Sequence, residues 1–263
     1  MEVIRALEET WEGIDALLVS LDDGQWALPT PNTEWDVKDL AAHLGGLESM
    51  FLGFPQPDPP EGWTTEHTGL DQVTEAGVVA RRSWSNDEVL QELRTASHAQ
   101  LDRLRGLNEA AWQEPTIGPL GMTSMANFAD IRLGDLYVHL LDLRFALGLP
   151  LQSVDQLTAE SLVVDRAVRL TGWGAVKAAG LSDGSRISLQ LSGPGGTAAD
   201  LVVADRRGKL VDPEPGTIER VVGPAFAYLL EISGRHKMAE AAGGLQVDGA
   251  AARVLLAGYR LFG

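Results

Sequence analysis

The sequence predicts two domains, an N-terminal all-α four-helix bundle followed by a smaller α+β domain. Three observations carry this expectation. Up to about residue 147, apolar residues recur at steps of three and four, the period of an amphipathic helix. Beyond Gly148 and Pro150 the pattern changes to short apolar runs around glycine-rich turns, interleaved with helical stretches. Finally, 263 residues of which 44% are hydrophobic suffice to give each of two domains its own core.

The first helix is written by Ile4, Leu7, Trp11, Ile14, Leu18 and Leu21, and Asp22-Asp23-Gly24 breaks it. After a loop holding Pro29 to Asn32, the stretch Thr33-Glu34-Trp35-Asp36 leads into a stripe of Val37, Leu40, Leu44, Leu47 and Phe51, the second helix. The prolines between Phe54 and Pro60 forbid its continuation. A weaker helical pattern covers 69–82. Ser85 and Glu88 form a capping box, and the helix they start runs to about Leu104. A long helix from about Thr123 to Leu147 ends at Gly148 and Pro150. Trp11, Trp35 and most of the other tryptophans are expected to fill the bundle core.

A boundary near residues 150–155 gives domains over 1–152 and 153–263. In the second, a helix around 154–176 precedes strands at Arg186 to Leu191 and Ala199 to Ala204, joined by the turn Gly193 to Gly196. Ile218 to Val222 reads as a third strand and Pro224 to Ile232 as a helix. Leu245 to Val247 is a further strand, and Ala250 to Leu261 a closing helix.

Charge and composition narrow the function. A net charge of −16 repels nucleic-acid phosphates and anionic lipid, so neither is an expected partner. The absence of cysteine excludes disulfides, thiolate ligands and a cysteine nucleophile, so thiol chemistry would need an external thiol. The acidic, amphipathic N-terminus is unlike a signal peptide, and no apolar run is long enough to span a bilayer; the expected location is the cytoplasm.

Asp135 and His139 are four residues apart on a predicted helix, so they project from one face and can converge on one ion. Phe128, Ile131 and Ala146 share that stripe, and a charged Asp facing a bundle interior is costly unless paired or metal-bound. Asp142, three residues past His139, is placed to accept a hydrogen bond from the ring nitrogen left free. His43 flanks the apolar stripe of the second helix. One His from one helix and an acid–His pair from another would make a three-ligand nitrogen/oxygen site with a position left for water or substrate. A lone His beside an apolar face is more often a core histidine, and Asp135 with His139 also reads as an intrahelical pair; spacing leaves both open. His67 reads as a solvated loop residue, His98 as a surface residue, and Ser192 to Gly196 as a hairpin turn rather than a phosphate loop.

The phrases TEWDVKDLAAHL and GDLYVHLLDLRFALG resemble the two signatures of the mycothiol-dependent maleylpyruvate isomerase family, whose N-terminal domain is a DinB-like metal-binding bundle. Residues 155–263, with GPAFAYLLEISGR and LQVDGAAARVLLAG, are similar in layout to that family's sterol-carrier-like C-terminal domain. The resemblance implies that His43, Asp135 and His139 ligate a divalent metal, usually zinc. It also implies that an Arg of the C-terminal domain, matched here by Arg235, helps bind thiol or substrate. The best-known isomerases carry Glu where this chain has Asp135, one methylene shorter, although Asp occurs in the wider family. The implied activity is mycothiol-dependent: a metal-activated thiolate attacks an electrophilic small molecule, as in cis–trans isomerisation of maleylpyruvate. A mycothiol S-transferase acting on another electrophile, and a metal- or ligand-binding module without catalysis, are the alternatives.

Overall fold

The computed structural model describes residues 2–32, 34–118 and 121–261. The chain divides into two compact units, Met1–Gln152 and Ser153–Gly263. The first is helical and the second contains a sheet.

In the first unit α1 (Glu2–Leu18) is followed by a single turn, α2 (Asp23–Trp26), then α3 (Val37–Phe51), α4 (Leu70–Arg81) and α5 (Asn86–Arg105). A hairpin of β1 (Pro115–Gly118) and β2 (Gly121–Ser124) leads into α6 (Met125–Ala146). The four long helices α1, α3, α5 and α6 pack as a bundle: α1 lies against α5 and α6, and α3 against the same two helices. The apolar stripes explain this. Leu7, Trp11, Ile14 and Leu18 of α1, and Leu40, Leu44 and Leu47 of α3, are buried. Gly45 lets α3 approach α5 closely, because a Cβ there would lie 3.0 Å from the Leu93 Cα. Burial on α6 goes most of the way round the helix and includes Arg132, His139 and Asp142.

Caps fix where these helices begin. Ser85 and Glu88 close the expected capping box of α5. Asp22 does more than end α1: its side chain accepts from the Gln25 N–H and caps α2. The β1–β2 hairpin was absent from the sequence expectation. So was the real placement of the tryptophans, of which only Trp11 and Trp26 are buried while Trp173 is 55% exposed. Their indole N–H groups make full burial expensive, and that of Trp35 is satisfied by Glu75 at 2.9 Å.

The second unit begins with α7 (Leu157–Lys177), then β3 (Arg186–Ser192), β4 (Thr197–Ala204), β5 (Arg207–Val211) and β6 (Arg220–Pro224). It finishes with α8 (Ala225–Ile232), α9 (His236–Ala241), β7 (Gln246–Asp248) and α10 (Ala250–Gly258). The sheet order is β5-β4-β3-β6-β7, antiparallel except for the parallel β3–β6 pair. Ile187, Leu189 and Leu191 of β3 with Leu201 and Val203 of β4 form its buried face, and α7 packs on β4 and β5. At the α7–β5 crossing a Cβ on Gly172 would stand 2.3 Å from the Gly208 carbonyl oxygen, so only glycine fits. β5 and α9 were not anticipated. No helix among the described residues is long and apolar enough to cross a membrane.

Candidate metal centre

Local structure sets the position of His43. Asp36 caps α3 by accepting from the Asp39 N–H at 2.8 Å. That leaves Trp35 just before the helix, where its ring stacks on His43 at 4.7 Å between centroids. The Trp35 indole N–H is tied to Glu75 Oε2 at 2.9 Å, so this aromatic wall is anchored to α4. His43 is 7% exposed, and neither of its ring nitrogens has a hydrogen-bond partner.

α6 presents Asp135 and His139 to the same spot. His43 Nε2 is 3.8 Å from Asp135 Oδ2, and His139 Nε2 is 3.7 Å from Asp135 Oδ1. Both distances exceed hydrogen-bond length. The two imidazoles are 5.1 Å apart, edge to face. One ligand atom from each of the three residues lies within 4.8 Å of the other two. Two ligands on a tetrahedral zinc ion stand about 3.4 Å apart, so a small inward movement would suit a cation at the centre. The fit is also chemical: two imidazoles and a carboxylate with unspent lone pairs converge, and the buried His43 ring has no other partner for either nitrogen.

The surrounding groups hold this arrangement. Asp142, fully buried, accepts from His139 Nδ1 at 2.9 Å, which leaves Nε2 facing Asp135. The ring tautomer follows from that bond. Arg132 and Glu48 were not singled out from sequence. Arg132 Nη1 donates to Asp135 Oδ2 at 2.7 Å and its Nε to Glu48 Oε1 at 2.9 Å, with both Arg132 and Glu48 buried. The Arg132–Asp135 spacing of three residues on one helix was the signal available for the first pair; nothing in the chain marks Glu48.

The electrostatics match these contacts. Burial opposes ionisation of Asp135, but the Arg132 guanidinium beside it outweighs burial and holds the carboxyl below its ordinary range. Burial pushes His43 down against the partial opposition of Asp135, so its ring is neutral and its lone pair free. Burial raises Glu48, which Arg132 opposes. Asp135 is the more open member, its side chain 22% exposed against 6% and 7% for the imidazoles, so solvent reaches the cluster on its side.

The other residues singled out from sequence lie apart from this cluster or in the second unit. His67 is exposed and contacts Glu34 at 3.2 Å, and His98 is exposed. Arg235 stands between α8 and α9, where its Nη1 donates to the Ser233 carbonyl. Gly193 to Gly196 form the β3–β4 turn.

A family model described as the mycothiol maleylpyruvate isomerase N-terminal domain matches residues 7–144. Two solved structures are similar to the chain. One is a crystal structure of a mutant of the mycothiol-dependent maleylpyruvate isomerase, 15% identical, with a TM-score of 0.56 and 93% of this chain and 91% of that chain covered. The other is a crystal structure of the mycothiol-dependent maleylpyruvate isomerase, 15% identical, with a TM-score of 0.55 and coverage of 89% and 88%. At that identity the likeness is one of fold. No curated protein matches the chain.

Proposed function

This chain belongs to the mycothiol maleylpyruvate isomerase N-terminal domain family, and on that premise we propose that it is a metal-dependent enzyme that uses mycothiol on an electrophilic small molecule. The observation that carries the proposal is the convergence of His43, Asp135 and His139, with unspent ligand atoms within 4.8 Å of one another. These three side chains would hold one divalent cation, with zinc favoured by the nitrogen/oxygen donor set. Such a cation lowers the pKa of a coordinated thiol, supplying at neutral pH the nucleophile that a cysteine-free chain lacks.

The chain's own residues supply position and charge. Asp142 orients the His139 ring through its 2.9 Å contact. Arg132 keeps Asp135 ionised and fixes the rotation of its carboxylate, and Glu48 fixes Arg132 in turn. Trp35 shields His43 from water on one side. Arg235, the match to an Arg that the family resemblance implies, is the proposed contact to thiol or substrate. The reaction read best is cis–trans isomerisation, in which thiol is returned unchanged; an S-transferase would instead leave it attached to product.

Elemental analysis tests the centre. The purified protein is expected to carry close to one equivalent of metal, and His43→Ala and His139→Ala to lose it while keeping their helical circular dichroism. Unchanged metal content in both variants would refute the assignment. Turnover should require added thiol, and product analysis separates the reactions: isomer without thiol consumption, or a stable adduct.

A further inference from the structure

Next to this cluster, within the first unit, a pocket of about 350 Å³ lies among α3, α4 and the proline-rich segment between them. That volume is at the lower end for small-molecule sites, about 300–1,000 Å³. His43 lines it with Leu47, Met50, Trp63, Val73 and Ala76, and no Asp, Glu, Lys or Arg is among its lining residues. A guanidinium does lie behind the wall, since a Cβ on Gly46 would meet Arg81 at 3.0 Å. That group is committed elsewhere. Fully buried, Arg81 donates from Nε and Nη2 to the Glu92 carboxylate at 2.5 and 2.6 Å, from Nη1 to the Gly77 carbonyl, and from Nη2 to Gln56 Oε1. Glu92 matches its charge, and four of its five N–H donors are spent on these partners.

We propose that this pocket receives the uncharged, apolar part of the electrophile, so that the enzyme selects neutral substrates over dicarboxylates. The inference rests on the functional reading above and narrows it to a substrate class. His43 connects the two: one of its unpartnered ring nitrogens belongs to the cluster of converging ligand atoms, and its side chain is also part of the pocket wall. An apolar group placed there gains from leaving water. A carboxylate placed there would lose its hydration and find no charged side chain in the lining, where the amides of Gln56 and Gln72 and the Thr74 hydroxyl are among the polar groups.

Diethyl maleate and the maleate dianion share one carbon skeleton and differ in charge, and in a cysteine-free chain neither has a protein thiol to react with. Their binding to the full-length protein as purified, measured by ligand-observed NMR without thiol, tests the proposal. The diester is expected to bind on the order of tenfold more tightly. Val73→Lys, at a half-exposed position that tolerates the change, should reverse the order, and Ala76→Phe should weaken the diester by filling the space. Maleate binding to the unsubstituted protein as tightly as the diester would overturn the proposal. So would a diester preference untouched by both substitutions, since the ligand would then sit elsewhere. Metal content of the same samples reports on the centre separately: protein that holds no metal yet keeps the substitution-sensitive preference upholds the pocket and removes the proposed enzyme.

Discussion

Two aspartates, one in each unit, sit against an arginine, and their surroundings differ in an instructive way. Asp200 is fully buried in the sheet, where its Oδ2 accepts from Arg186 Nε at 2.7 Å, from the Glu214 N–H at 3.1 Å and from the Thr217 hydroxyl at 3.1 Å. Asp135 accepts from Arg132 at 2.7 Å but otherwise faces two imidazole nitrogens at 3.7 and 3.8 Å, beyond hydrogen-bond reach. Burial opposes ionisation of both, and their partners prevail, so both stay ionised below the ordinary range. An arginine pair and a depressed pKa therefore do not distinguish a site from a structural strut. Nor does an unspent oxygen, since the buried Oδ1 of Asp200 has no partner either; ligand atoms converging from several residues do distinguish it.

The contrast can be broken by substitution, beginning with its largest expected effect. In metal-free protein, Arg132→Leu leaves Glu48 and Asp135 without their shared cation and should cost about 3–5 kcal/mol in urea unfolding. Added zinc should restore part of that loss, because a cation would replace the missing charge. A cost below about 1 kcal/mol would mean that Arg132 does not hold the cluster together.

Asp142→Asn keeps the shape but removes the charge behind His139, and metal affinity in chelator competition should fall by about 10–100-fold with the fold intact. No change would reduce Asp142 to a packing role. Asp200→Asn provides the opposite arm of the comparison. It should cost about 1–3 kcal/mol of stability and leave metal content as it was; a loss of metal would erase the distinction drawn here.

The smallest effect appears only at high pH. Burial raises the hydroxyl pKa of Tyr228, which shares a 2.8 Å hydrogen bond with Thr171, and of Tyr259. Their folded-state values lie above the unfolded value of about 10. The folded chain then keeps protons that the unfolded chain gives up, so this stability is complete below about pH 10 and is lost as pH rises further. Tyrosinate absorbance at alkaline pH should therefore appear together with unfolding; ionisation of these two groups in a still-folded protein would contradict the burial argument.

Much of the helical architecture was legible because its signals are local. The Ser85–Glu88 capping box, the stripe from Val37 to Phe51 and the Gly148–Pro150 stop each act within a few residues of chain. β5 was not legible. Arg-Gly-Lys-Leu-Val is a half-exposed edge strand, and it is joined to β4 by Asp205 and Arg206 at φ of 51° and 57° rather than by the Asn-Gly that announces such turns. α9 is six residues long, too short to show a period.

By itself the sequence determined that Asp135, His139 and Asp142 lie along one side of α6, because 3.6-residue periodicity places them there, while His43 joined them only through the family resemblance. It also determined, by having no cysteine, that any thiol must come from outside. Tertiary packing alone decided that α3 meets α6 so that His43 arrives with both ring nitrogens unpartnered, and that Glu48, 84 residues before Arg132, completes the charge network. It decided as well that an uncharged pocket lies beside that histidine. The physical reason is range: periodicity and capping are set by neighbours along the chain, whereas the convergence of charges and the shape of a cavity depend on how close two helices can approach, as at Gly46, where a Cβ would meet the Arg81 guanidinium of α4 at 3.0 Å.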